Sequence, residues 1–224
     1  GDRSLARFEA ARNAIRRAAV AITRQLAAGR FSLYRTEAAF GYEGGMPPIV
    51  LLLSDGRQVA LRGRIDRIDR YDAPDGVYLR VIDYKSARQS LEAARAWWGL
   101  QLQLLLYLDV CTGAIPGAKP AGAFYFYVAD PLVESASDAT EAVEGKLREI
   151  FQLRGVALSD VEILSAMDGG DTPWVLPPMY LKSGELKKTA RALSMPQLTA
   201  LLAHAREVAV ALADRLFGGE TAIS

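Results

Sequence analysis

The sequence predicts an α/β fold, with a mixed central sheet that contains an antiparallel meander and is flanked by helices. Three observations carry this. After residue 30, β-type runs alternate with turn signals such as Ser54-Asp55-Gly56-Arg57 and Pro74-Asp75-Gly76. The period then turns helical from Leu91 to Cys111, and a strongly apolar strand run follows at 121–128. Strand, helix, strand is the pattern of a crossover, which inserts the later strand beside the meander.

Residues 4–29 are rich in Ala, Arg and Leu and hold no Pro, with Gly29 at the end. They predict a helix whose polar side carries Arg12, Arg16 and Arg24. Residues 31–42, with Phe31, Leu33, Tyr34 and Phe40, predict a strand running into Gly44-Gly45. A short apolar run at 49–53 leads into the first hairpin turn, and residues 59–71 and 77–86 predict the next two strands. One helix is expected over 91–111, ending near Gly113, and another over 138–153. Residues 159–194 read as irregular, punctuated by Gly169-Gly170, Pro173, Pro177, Pro178 and Gly184. Lys182, Lys187, Lys188 and Arg191 cluster there. A solvated surface loop is the simpler reading of that cluster, and a nucleic-acid-facing loop is the functional one. Ser194-Met195-Pro196 opens a last helix, with serine at the cap, proline early and apolar periodicity from Leu198 to Leu216. The expected organisation is one domain over 1–224, with a core at 31–130 and a helical and loop extension at 131–224.

Half of the 224 residues are hydrophobic, so a substantial core is available. The net charge of +1 supplies no global pull toward nucleic acid, and any such binding must use a local patch. The single cysteine, Cys111, excludes an internal disulfide or a cysteine metal cluster and is expected as a buried thiol. The single histidine, His204, lies in the last helical pattern and reads as an ordinary helix residue. No secretory signal and no apolar run of the roughly 20 residues needed to span a bilayer is present, so a soluble cytoplasmic protein without membrane association is expected.

The chemistry concentrates between Gly63 and Lys85. If Ala73–Gly76 closes a hairpin, Asp66 falls level with Asp83, and Asp69 with Arg80. Directly opposed Cβ atoms sit about 4.5–5.5 Å apart, so the two aspartates repel. A divalent cation between them removes the conflict, and hard oxygen ligands suit Mg²⁺ or Mn²⁺. Lys85, two residues past Asp83, projects from the same face. That is the equipment of a metal-dependent phosphodiesterase, where the ion activates water and polarises the phosphate while a lysine neutralises charge. The Asp69–Arg80 pair on the other face reads as a cross-strand salt bridge worth a fraction of a kcal/mol. Gln103 and Tyr107 are four apart and share a helix face.

The ordered segments "GRIDRID", "VIDYKS" and "GLQLQLLLYLD" resemble the PD-(D/E)xK nuclease superfamily in its RecB-like branch. The segments "KPAGAFYFYVADPL" and "SMPQLTALL" extend the resemblance, over roughly residues 31–224, to the AddB-type nuclease domains of bacterial helicase–nucleases. The resemblance implies a restriction-endonuclease-like core. It implies that Asp66 and Asp83 bind metal, with the Tyr84 carbonyl as a further ligand, and that Lys85 is the motif lysine. Gln103 and Tyr107 match the family's Q-x-x-x-Y helix motif, which shapes the site and contacts DNA. Gln101 is off that face and reads as structural. The implied activity is Mg²⁺- or Mn²⁺-dependent DNA cleavage, as exonuclease or endonuclease, beside an AddA-type helicase–nuclease subunit in double-strand break repair and recombination. No G-x-x-x-x-G-K-[ST] motif is present, so the motor would belong to that partner.

The departures from the family pattern matter. The family's upstream histidine has no counterpart here, and Glu37 reads as an ordinary strand residue although it could add an acid. AddB-type proteins carry four cysteines that hold an iron–sulfur cluster, and with Cys111 alone no cluster is expected in this fragment. The chain therefore reads as a piece of a longer protein. The alternative function is a catalytically silent DNA-binding or scaffold module of the same complex, incomplete without the histidine. A stand-alone RecB-like exonuclease is the third possibility, and the AddB-like C-terminal third argues against it.

Overall fold

A computed structural model describes residues 2–128, 140–170, 172–180, 183, 185–187 and 189–219. Helix α1 (Asp2–Ala28) leads into strand β1 (Ser32–Phe40). The hairpin β2 (Ile49–Leu52) and β3 (Gln58–Leu61) follows, then β4 (Gly63–Ala73) and β5 (Gly76–Lys85). Helices α2 (Ala93–Trp97) and α3 (Gln103–Ala114) connect β5 to β6 (Ala118–Tyr127). The remainder is α4 (Thr140–Phe151), β7 (Arg154–Leu158), α5 (Val161–Met167), β8 (Ala192–Leu193) and α6 (Met195–Phe217).

Six strands form one mixed sheet in the order β1-β4-β5-β6-β7-β8, while β2 and β3 pair separately. The pairs β1–β4, β4–β5 and β6–β7 are antiparallel, and β5–β6 is parallel. This is the α/β architecture the sequence predicts, flanked by helices and consistent with a restriction-endonuclease-like core. The crossover places β6 beside β5 as expected, because a parallel neighbour needs a connection long enough to return to the starting end. Helix α3 packs against β5 and β6, and α6 against α3. Phe126 of β6 stacks on Phe151 of α4 with ring centroids 5.9 Å apart.

Three local expectations are corrected. The strand expected over 59–71 is two strands, because the chain leaves its β2 partner at Arg62 and joins β1 from Gly63 onward. The helix expected over 91–111 breaks at Gly99. The Gly99 N–H donates to Ala96 O and the Leu100 N–H to Arg95 O, both at 3.0 Å, with Gly99 at φ 79°. This is a Schellman C-cap, which needs a residue that tolerates left-handed backbone. Residues 159–194 are not wholly irregular. Asp160 Oδ1 accepts from the Ile163 N–H at 3.0 Å and caps α5, and β8 adds an edge strand parallel to β7.

Other expectations hold. Ser194 and Gln197 form a capping box at α6 with Pro at the start of the helix. Cys111 is buried, and burial pushes its thiol up to about 12. His204 stacks on Trp97 at 3.8 Å, with Nε2 2.9 Å from the Trp97 carbonyl, so it packs as a structural residue. Lys182 and Lys188 lie outside the described residues.

Candidate active site

The β4–β5 ladder runs Ala73↔Gly76, Asp69↔Arg80 and Arg67↔Ile82, the register read from the turn. One step further it sets Asp66 level with Asp83. Here the ladder gives way to side-chain contacts. The Tyr84 N–H donates to Asp66 Oδ2 at 2.8 Å, so an aspartate rather than a β4 carbonyl accepts from the end of β5. Lys85 Nζ lies 2.7 Å from Asp83 Oδ2. The ammonium ion-pairs with this buried oxygen, for which no further partner is found among the described residues.

The environment of this trio is graded. Asp83 is only 4% exposed, and burial raises its pKa above the ordinary carboxylate range. Lys85 opposes that shift and the nearby Asp66 charge adds to it. The Lys85 ammonium is in turn raised, chiefly by its contact with Asp83. Lys85 offsets part of the desolvation penalty that burial places on this carboxylate. A metal cation there relieves the rest, and two carboxylates with a backbone carbonyl are hard oxygen donors that suit Mg²⁺ or Mn²⁺. Among the described residues no three His, Cys, Asp or Glu side chains gather closely enough to hold an ion.

Gln103 and Tyr107 lie at the start of α3, and Gln103 Nε2 donates to Tyr107 Oη at 2.7 Å. Tyr107 packs edge-on against Phe40 at 5.7 Å, and Phe40 is level with Gly63 at the head of the strand that carries Asp66. The pair thus borders the β4 segment of the site, and its hydrogen bond runs within the helix rather than to a carboxylate. Gln101 holds the turn before α2, accepting from the Glu92 N–H at 2.9 Å and donating to the Ser90 carbonyl at 3.0 Å. Its structural reading holds.

Glu37 is not an ordinary strand residue. It has φ 49°, where L side chains are rare, and the register Thr36↔Arg67 and Ala38↔Ile65 sets it level with Asp66. Its carboxylate pairs with Arg64 at 3.5 Å.

The largest correction concerns Asp69 and Arg80. They are no surface pair: both are fully buried, together with Arg67. Arg67 Nε and Nη2 donate to the two Asp69 oxygens at 2.7 and 2.8 Å, and Arg80 Nε donates to Oδ2 at 2.9 Å. Phe31 covers Arg80, with the guanidinium carbon 4.8 Å from the ring centroid. Asp168 adds a second carboxylate whose charge reaches Arg80. Asp168 accepts from the N–H groups of Trp174, Val175 and Leu176. Asp69 therefore holds both guanidiniums beneath the strands that carry the site, with Asp168 as a more distant negative charge. No local signal in the sequence distinguishes this cluster from surface charge, because the partners that meet it, Phe31 and Asp168, come from distant parts of the chain.

A family model described as "PD-(D/E)XK nuclease superfamily" matches residues 4–224. The chain belongs to the PD-(D/E)XK nuclease superfamily. It is similar to bacterial ATP-dependent helicase/deoxyribonuclease subunits of the AddB type. The match is 34% identical to that of Alkaliphilus oremlandii, over 93% of this chain and 19% of the relative. It is 36% identical to that of Geobacillus kaustophilus, over 84% of this chain and 17% of the relative. It is 37% identical to that of Moorella thermoacetica, over 88% of this chain and 18% of the relative. The chain thus spans less than a fifth of the length of these curated relatives.

Proposed function

We propose that this chain is the nuclease module of a helicase–nuclease subunit and hydrolyses DNA phosphodiester bonds with Mg²⁺ or Mn²⁺. The observation that carries the reading is the buried Asp83 carboxylate, level with Asp66 across the hairpin and ion-paired with Lys85 at 2.7 Å. Asp66, Asp83 and the Tyr84 carbonyl would hold the ion. Bound there, a divalent ion supplies a water of lowered pKa and polarises the phosphate. The Tyr84 N–H points toward β4, and the next carbonyl, that of Lys85, accepts from the Val128 N–H after β6. In an extended strand the carbonyl of Tyr84 then faces the Asp66 side, which favours it as the third donor.

Lys85 is a cation and donor rather than a general base, since its contact with Asp83 strengthens its hold on the proton. In that form it orients the attacking water or offsets negative charge on the phosphate. Gln103 and Tyr107 border the site and contact the substrate strand. The relatives' names supply the words helicase and deoxyribonuclease, and the wider assignment extends them by the resemblance of the motifs. It comprises cleavage as exonuclease or endonuclease in double-strand break repair and recombination, a DNA substrate and a partner of the AddA type. Among the described residues no helix is long and apolar enough to cross a membrane.

The test titrates Mn²⁺ into the chain by calorimetry, beside Asp83→Ala, and assays both on linear single-stranded DNA. Binding and cleavage that both vanish in the variant support the reading. Metal and DNA binding without cleavage in any divalent ion favours the silent module. No metal binding overturns the site.

A further inference from the structure

The sheet carries the row that holds Asp83 onward through two more strands. Asp83 is level with Tyr125 of β6, and Tyr125 with Arg154 of β7. With strands about 4.8 Å apart, Arg154 lies roughly 10 Å from the carboxylates across the sheet. Lys85 Nζ sits 5.6 Å from the Tyr125 ring centroid, so the first step of the row is a side-chain contact as well as a backbone one.

Arg154 opens onto a cleft of about 250 Å³, lined by Ser90, Gly155, Pro178, Thr189 and Arg191 among others. Arg191 reaches Ser90 Oγ and lies 3.4 Å from Glu92 Oε1. Arg154 Nη2 donates to the Glu149 carbonyl at 2.7 Å. Arg88, three residues past Lys85, places its guanidinium carbon 5.7 Å from the Tyr127 ring centroid. Burial and then the charges of Arg88 and Arg191 push the Arg154 pKa down, with Glu149 opposing. Three cations gathered from three distant parts of the chain repel one another. Glu92 beside Arg191 and the Glu149 charge meet part of that repulsion, and a bound anion would relieve the rest.

We propose that Arg88, Arg154 and Arg191 hold the phosphate backbone of a single-stranded nucleic acid next to the segment entering the Asp66–Asp83 site. The inference rests on the nuclease reading for its direction, and it adds a subsite for the strand. Guanidinium forks match phosphate oxygens, and Ser90 and Thr189 supply hydroxyls to the same cleft. An offset of roughly 10 Å keeps the subsite within a few nucleotides of the bond that is cut. The cleft also gives a place to Arg191, a member of the basic cluster that the sequence singles out.

The experiment measures binding of a fluorescent oligothymidine by anisotropy in EDTA, over 50–200 mM salt. It compares the chain with Arg88→Gln, Arg154→Gln and Arg154→Lys, with Tm measured for each. A single-strand phosphate contact contributes about 0.7 to the logarithmic salt slope. Each glutamine variant should lower the slope by about that amount, so its affinity falls roughly 2.6-fold less than the parent's across the salt range. Arg154→Lys should keep the slope. Arg88, whose described contact is with a ring, serves where Arg154→Gln fails to fold. Unchanged slopes in both glutamine variants overturn the proposal. Displacement of the oligonucleotide by millimolar inorganic phosphate, with no dependence on strand length, also overturns it and leaves a free-phosphate site. The nuclease reading fails separately. If the parent cleaves nothing with Mn²⁺ while the slope still falls in the variants, the cleft stands and the catalytic assignment does not.

Discussion

The backbone N–H of Tyr84 is held by Asp66 Oδ2 at 2.8 Å, so one candidate metal ligand fixes the residue that links Asp83 to Lys85. The two strands are thus tied at the site by a side chain. Asp66→Asn keeps an oxygen for this bond while removing the charge. The fold should therefore persist, with an unchanged circular dichroism spectrum, while Mn²⁺ affinity falls by at least about tenfold. That is the lower end of what even outer-shell losses produce at metal sites. Calorimetric titration checks it, and an affinity equal to that of the parent removes Asp66 from the ligand set.

Asp69→Ala should be among the most damaging substitutions in the chain. It leaves the Arg67 and Arg80 guanidiniums buried without their carboxylate. Breaking a buried pair from one side costs about 3–5 kcal/mol. For a chain of this size that corresponds to a fall in Tm of about 6 °C or more. Scanning calorimetry decides it, and a change below about 2 °C, less than 1 kcal/mol produces at this size, would mean that water reaches the arginines.

Gly63 is needed for space. A methyl group there would lie 2.9 Å from Phe40 Cε1 and Cζ. Gly63→Ala must displace the ring that packs against Tyr107, and overpacking of this kind costs about 1–3 kcal/mol. The urea midpoint should fall accordingly, and a parent-like midpoint would show that Phe40 yields freely.

Cys111 gives a pH signature. Its thiol is pushed up to about 12 by burial, against about 8.5 for an unfolded cysteine. Because the folded pKa is the higher one, the stability contribution is complete below about pH 8.5. It is lost as the pH rises toward 12, since only the unfolded chain can ionise there. Two results should follow. Folded protein resists iodoacetamide at pH 8, and Cys111→Ala flattens the decline of Tm between pH 8.5 and 10.5. Rapid alkylation of the native chain would contradict the burial.

How far the sequence reaches differs by element. The hairpin about Pro74-Asp75-Gly76 is legible because a strong turn signal fixes register, and register alone puts Asp66 level with Asp83. The cap of α6 is legible because Ser194 and Gln197 satisfy the first turn of their own helix. The break at Gly99 and the helix after Asp160 escape such a reading. Both hang on single residues, Gly99 adopting a left-handed backbone and Asp160 capping an exposed start.

The order of residues settles the short-range chemistry: two aspartates and a lysine on adjacent strands, set by alternation and one turn. Packing between distant elements sets the dielectric around each charge. Asp69 and Arg80 are directly opposed across the hairpin just as Asp66 and Asp83 are, yet the former pair is sealed from water beneath Phe31. Asp83 instead keeps a buried oxygen facing a lysine at the end of its strand. Tyr125 and Arg154 join the row only because β6 returns parallel to β5 and β7 pairs back on it. Pattern along a chain encodes which face a side chain takes. Which charges lose water, and which meet across 70 residues, depends on elements that share no local signal with them.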